Sequence, residues 1–300
     1  MEVGIESRRL AVKKIKNLIY TPKSDTQLFR KKIDEVFSVV TIPNNVECSE
    51  ITLGGIKCDE LVPDVSSETR VMVYVHGGSF VGGSRIASRS ICASLANVTS
   101  TKVIVPEFSL APEHPFPKGV EDLNSMLNEL RKNVKEIILA ADGSGASLAM
   151  SMVQTEIEKK SMIFSHIILL SPFLDISDDA IIYTVKKAAD DVISADCVKR
   201  CAEVYTYNSN LKNPHVSPMY ISQEVLEKFP PVYIQCGDRE LLYPEIIKFQ
   251  DKLHLAHVKN LVDVWPGMIH LFQFADEYLN ESHLAIEKIG KFFEADEWNY

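Results

Sequence analysis

The chain has 300 residues, 46% of them hydrophobic and 24% charged, with a formal charge of -9 at pH 7. This length and ordinary globular composition exclude a disordered or fibrous chain and point to one body around one sheet, with a small appendage. The acidic balance, without clustered Lys and Arg, argues against a nucleic-acid partner and disfavours anionic substrates and membranes.

The first twenty residues mix charged and apolar side chains and lack the uninterrupted apolar core of a signal peptide. The longest apolar stretch, Ile163 to Leu174, is broken by Ser165, His166, Ser171 and Pro172. It falls short of the roughly 20 residues of a membrane helix, so a cytoplasmic location without a membrane span is expected. Two amphipathic helices are predicted at Ser7 to Leu18 and Ser24 to Phe37. Val46 to Leu53 and Ile56 to Pro63 then alternate apolar and polar residues about Gly54-Gly55, which predicts a two-residue β-hairpin.

From residue 71 onward short β-branched runs alternate with helical stretches, the pattern of an α/β fold with a mostly parallel sheet and crossover helices. Strands are expected at Val71 to Val75, Lys102 to Pro106, Glu136 to Ala141, His166 to Leu170, Val232 to Cys236 and Asn260 to Trp265. Helices are expected at Ile86 to Asn97, Lys118 to Asn133, Ser144 to Lys159, Tyr243 to His257 and Glu281 to Ala295. The alternation stops between Asp175 and Ser217, where a helical insertion spans Asp190 to Tyr207. Residues 1–45 and about 176–217 are read as a cap over the carboxyl ends of the strands, and 46–300 as the main domain. The late strand Asn260 to Trp265 is placed at a sheet edge, where a second copy could pair to give a homodimer, although a terminal helix covering that edge is an equal alternative. The six cysteines lack the paired spacing of a zinc site and read as reduced, mostly buried thiols; no metal or cofactor is expected.

Three segments carry chemistry. His76-Gly77-Gly78-Ser79-Phe80 follows a strand directly, so backbone amides of Gly77, Gly78 and Ser79, chiefly the last two, can point above the sheet and stabilise an oxyanion. The elaborate loop Phe108 to Pro117 reads as a structural brace, with Glu113 and His114 holding its geometry. Ile138 to Ala149 turns abruptly from strand to helix, as a nucleophile elbow does. Such an elbow needs small residues two before and two after its apex. Ala141 and Gly145 meet that need around Gly143, whereas an apex at Ser144 would be flanked by Asp142. Gly143 is therefore the apex, and the amide of Ser144 completes the oxyanion hole. An acid emerges after the strand Val232 to Cys236, and His270 lies in the loop after the last strand. The order elbow, acid, histidine is that of α/β-hydrolases.

From Val46 to the carboxyl terminus the chain resembles the hormone-sensitive-lipase-like family of carboxylesterases, bacterial type. The resemblance rests on HGGSF, LAPEHPFP, SPFLD, NPHVSP, PPVYIQCGDRELL and WPGMIHLFQ, in that order. It implies an α/β-hydrolase fold with a small helical cap, small acyl esters or lactone-like molecules as ligands, Glu240 as the acid in preference to Asp238, and His270 as the base. The family's elbow reads GDSAGG, and the matching residues here are Ala141-Asp142-Gly143-Ser144-Gly145-Ala146, so the serine position is vacant. Ser79 also stands where the family has a third glycine.

Without a hydroxyl at residue 143 no ordinary acyl-enzyme can form. Four readings remain open: an inactive or weakly active member that binds its ligand under the cap; a true serine carboxylesterase in which glycine has been put in place of the nucleophile; a weak hydrolase using a water activated by His270 and Glu240; and a relocated nucleophile at Ser144 or Ser79.

Overall fold

In a computed structural model, residues 4–39, 42–184 and 190–294 are described. The sheet has eight strands, β1 (Val46–Leu53), β2 (Ile56–Pro63), β3 (Arg70–Val75), β4 (Lys102–Pro106), β5 (Glu136–Asp142), β6 (Phe164–Leu170), β7 (Val232–Gly237) and β8 (Asn260–Trp265). Their spatial order is β1-β2-β4-β3-β5-β6-β7-β8. The first two form the expected hairpin, with Leu53 opposite Ile56. Gly54 and Gly55 take φ of +56° and +83°, the left-handed pair that a two-residue turn demands. β2 runs antiparallel to β4, and every later pairing is parallel.

The strands β3, β5 and β7 read as continuous apolar runs because they are covered on both faces; Val71 to Val75 and Ile137 to Ala141 are all buried. The nine helices of the described residues include α1 (Ile5–Ile15), α2 (Thr26–Phe37), α3 (Arg89–Thr99), α4 (Lys118–Leu130) and α5 (Gly145–Lys159). They continue with α6 (Ala195–Tyr205), the short α7 (Gln223–Leu226), α8 (Tyr243–Leu255) and α9 (Asn280–Glu294). α3 packs against α9, and α4 against α5. Both layers bury their apolar stripes on the sheet.

Where element ends differ from expectation, the reasons are local. α2 begins two residues late because Asp25, not Ser24, caps it, accepting from the amide of Leu28 at 2.9 Å. The first helix tightens into a 3-10 turn over Lys16–Leu18. The insertion is helical only from Ala195, since Asp190 bonds the amides of Val192 and Ile193 in a turn. The predicted end of the last helix, Ala295, lies outside the described residues. β8 is the outermost strand, as placed from the sequence.

α1, α2 and α6 lie over the loops that leave the carboxyl ends of the strands. Arg8 donates to the carbonyl of Gly267 at 2.8 Å, and Arg30 to that of Val81 at 2.7 Å. Arg30 also pairs with Glu113 and bonds the carbonyl of Ala111 at 2.9 Å, so the proline-rich loop is braced by α2. Among the described residues no helix is long and apolar enough to cross a membrane. All six cysteines are unpaired, and five are buried, Cys197 and Cys201 on one face of α6.

Candidate active site

The strand-to-helix turn between β5 and α5 puts Gly143 at φ +46°. Its amide donates to Leu170 on β6, and its carbonyl accepts from Phe173, both at 2.9 Å. These bonds tie the apex to the loop after β6. The need for a small residue at 145 is visible in the packing: a Cβ there would run into the main-chain carbonyls of Val75 and His76. A Cβ on Gly143, by contrast, would meet only Cδ1 of Leu271, at an ordinary 3.7 Å. Residue 143 therefore has room for a small side chain.

Asp142 Oδ1 accepts from the Tyr74 hydroxyl at 2.8 Å and from the Gly77 amide at 2.9 Å. Burial raises the Asp142 pKa above its ordinary value against the pull of these two donors. The Gly77 amide is thereby committed to Asp142, which corrects its assignment as an oxyanion donor. Among the described residues no protein group accepts from the amides of Gly78, Ser79 or Ser144. The Ser144 hydroxyl accepts from the Phe80 amide at 3.0 Å and so joins elbow to oxyanion loop.

Glu240 and His270 are brought together, with Oε2 3.3 Å from Nδ1. The other oxygen of Glu240 accepts from the Gly237 amide at 2.6 Å and from the Ser171 hydroxyl at 2.7 Å. Ser171 in turn accepts from the amide of Leu271 at 3.1 Å, so one hydroxyl aligns the acid with the histidine loop. Asp238 points elsewhere and accepts from the Gly267 amide at 2.7 Å. Asp190, pushed up in pKa by burial, accepts from the Leu241 amide at 2.9 Å and fastens the insertion beside the acid.

An aromatic wall adjoins the pair. Phe173 lies 6.0 Å from the His270 ring, Phe80 6.2 Å from Phe173, and Tyr205 of α6 is stacked on Phe80 at 3.9 Å. The buried Tyr205 hydroxyl has no hydrogen-bond partner among the described residues. His270 is 1% exposed and Glu240 4%, so the whole site is enclosed.

Four of the seven non-glycine residues with positive φ among the described residues, Ser79, Phe80, Ser171 and Leu271, cluster here. Strain of this kind, about 1–3 kcal/mol per residue, persists where surrounding contacts over-determine the backbone. Reasoning from sequence missed Ser171, Phe173, Asp190 and Tyr205. Only the SPFLD motif signalled the first two.

Neither candidate for a relocated nucleophile contacts His270. Ser144 is held by Phe80, and the Ser79 hydroxyl accepts from the Tyr20 amide at 3.1 Å. A second serine-histidine-acid contact exists on α5, where Ser151 Oγ is 2.9 Å from Nδ1 of His215 and Glu158 3.2 Å from its Nε2. Ser151 is buried in mid-helix, where the backbone amides are taken up by helical bonding and no oxyanion hole can form. Among the described residues no group of three His, Cys, Asp or Glu side chains could hold a metal ion.

Comparison with known proteins agrees with this fold. A family profile described as alpha/beta hydrolase fold matches residues 72–274, which is more than half the chain. The chain belongs to the α/β-hydrolase fold family. Among its relatives in that family, an esterase of Acinetobacter venetianus is 27% identical over 267 residues, covering 88% of this chain and 87% of the relative. An acetyl-hydrolase of Streptomyces hygroscopicus is 28% identical over 245 residues, covering 81% of each. The crystal structure of an esterase from the bacterial hormone-sensitive lipase family superposes with a TM-score of 0.88 at 24% identity, covering 98% of both chains. A hormone-sensitive lipase from a metagenome library gives 0.83 at 23% identity, covering 98% of this chain and 99% of that one.

Proposed function

We propose that this α/β-hydrolase is an esterase-like protein that holds a small acyl ester or lactone-like molecule beneath a cap formed by α1, α2 and α6, and that it turns the ligand over weakly or not at all. One observation carries the reading: Glu240 is paired with His270, whose chain neighbour Leu271 lies beside Gly143, a position that offers space and no hydroxyl. Loss of a triad serine costs about 10⁶ in turnover, while an oxyanion hole and binding alone keep roughly 10³ to 10⁴ over water. The amides of Gly78, Ser79 and Ser144 serve as the oxyanion donors, and the aromatic wall of Phe80, Phe173 and Tyr205 receives the acyl group.

The space at Gly143 favours one second reading, a single-step hydrolysis. A water lodged there gives its proton to His270 while its oxygen bonds to the ester carbonyl carbon. The oxyanion collapses, the carbon–alkoxide bond breaks, and His270 returns the proton to the leaving alcohol. Glu240 stabilises the imidazolium formed between the two transfers.

The test is binding and slow turnover of short p-nitrophenyl esters by the chain as it stands and with His270→Ala. Saturable binding in both, with residual turnover lost in the variant, supports the water route. Saturable binding with no turnover above the buffer rate leaves a binding protein. Absence of binding overturns the function proposed here. The outer edge of β8 is proposed as the place where a second copy would pair, and a monomer at all concentrations in sedimentation would exclude it.

A further inference from the structure

Ser79 replaces a glycine of the resembled motif at a cost, because it adopts φ +61°, where a glycine is unstrained and a serine is not. What the side chain gains is specific. Its hydroxyl accepts from the buried Tyr20 amide at 3.1 Å and donates toward the Leu18 carbonyl at 3.5 Å, both on the strap that joins α1 to α2. The Cys201 thiol of α6 reaches the Tyr20 carbonyl at 4.0 Å. Three segments distant in sequence therefore meet around the Ser79 hydroxyl and the Tyr20 backbone it holds: the oxyanion loop, the amino-terminal strap and the insertion helix. Ser79, Leu18, Tyr20 and Cys201 are all buried. Joined to this knot through Phe80 and Ser144 are the amides of Gly78 and Ser144, which have no protein acceptor among the described residues, and the buried Gly143.

Resting on the reading that a ligand is held beneath these helices, we propose that the Ser79 hydroxyl is a latch that fastens both parts of the cap to the oxyanion loop and thereby limits the size of ester admitted above Gly143. A glycine at this position would leave the Tyr20 amide and the Leu18 carbonyl without partners while freeing the loop to swing. Ser79 is a positioning residue in this scheme, acting through the strap and α6 on access to the site. Large esters need the knot to open, whereas an acetate ester needs only a small fluctuation.

The experiment compares the full chain with Ser79→Gly and Ser79→Ala by amide hydrogen exchange. Glycine removes both hydroxyl and strain; alanine removes the hydroxyl and keeps the strain. The latch predicts that the amides of Tyr20, Gly78 and Ser144 exchange about tenfold faster in both variants, the factor expected for one lost hydrogen bond, while core amides of β5 are unchanged. Unchanged exchange in both overturns the latch, and acceleration in the glycine variant alone overturns it too, since loop freedom rather than the hydroxyl would then be responsible. With Gly143→Ser added, Ser79→Gly should raise kcat/KM for a p-nitrophenyl hexanoate relative to the acetate about tenfold. An unchanged ratio overturns the control of ester size. Exchange requires no ligand, so accelerated exchange with no ester bound or turned over by any variant would remove the ligand reading and the size control together, and leave the latch as a fact of the fold.

Discussion

At residue 143 the backbone takes φ +46°, and glycine holds it without cost where a serine would carry about 1–3 kcal/mol of strain. The two properties a nucleophile elbow combines, strain and reactivity, are thus both absent at the same atom. Restoring the hydroxyl with Gly143→Ser should raise hydrolysis of short p-nitrophenyl esters about a hundredfold or more and allow labelling by a fluorophosphonate, which leaves the present chain unlabelled. The same variant should melt at a lower temperature. Equal or higher stability would contradict the strain argument, and a label on Ser144 would contradict the apex assignment. Ser171 supplies the second prediction at this scale. Its hydroxyl spans Glu240 and the Leu271 amide, so in the Gly143→Ser background Ser171→Ala should lower kcat about tenfold with little change in KM. A change confined to KM would mean that Ser171 shapes the pocket instead of the pair.

At the scale of elements, α8 is fastened to the loop after β6 by a buried carboxyl. Glu245 Oε1 accepts from the amides of Leu174 at 2.9 Å and Asp175 at 2.6 Å. Burial, with the nearby Asp175 adding to it, nevertheless raises the Glu245 pKa to about 8 from an ordinary 4.5. An acid whose pKa is raised on folding binds more protons in the folded state between the two values. Its contribution is therefore full below pH 4.5 and is lost as pH rises through about 8. Burial also pushes Asp142, Asp175 and Asp190 upward, which gives the same sign. Glu245→Gln keeps an acceptor for both amides and removes the titration. Its denaturation midpoint should fall less between pH 5 and pH 8 than that of the parent; an identical fall would remove Glu245 as the cause. The elements themselves were largely legible. The strands β3 to β8 are legible within about two residues because short β-branched apolar runs alternate with helical stretches, and the hairpin because two glycines stand where φ is positive. The start of α6 was not, since the turn that delays it is made by Asp190, whose other oxygen is engaged by Leu241 fifty-one residues away.

Over the whole molecule, the amino-terminal helices belong to the site as much as to the surface. Arg8 holds the loop that carries His270, and Arg30 and Tyr20 hold the loop that carries Ser79. Ile15, Phe29, Ile33 and Phe37 are buried against the body. A chain lacking residues 1–39 should therefore melt at a lower temperature, bind an apolar dye and lose ester binding. Retention of tight ester binding would show that α6 alone forms the cover.

The mostly parallel sheet is legible in the sequence alone, which also points to the turn at Gly143 and to Glu240 and His270, a pair that the fold places in contact. Each rests on a local rule: burial on both faces, steric room at an elbow, and position after a strand. What only the tertiary structure decided was how those residues are held. The Gly77 amide is spent on Asp142, Ser171 joins Glu240 to the His270 loop across one hundred residues, and Ser79 binds the segment between α1 and α2. A hydrogen bond between distant segments leaves no periodicity or spacing in the chain, because its partners are chosen by the fold after the strands have paired.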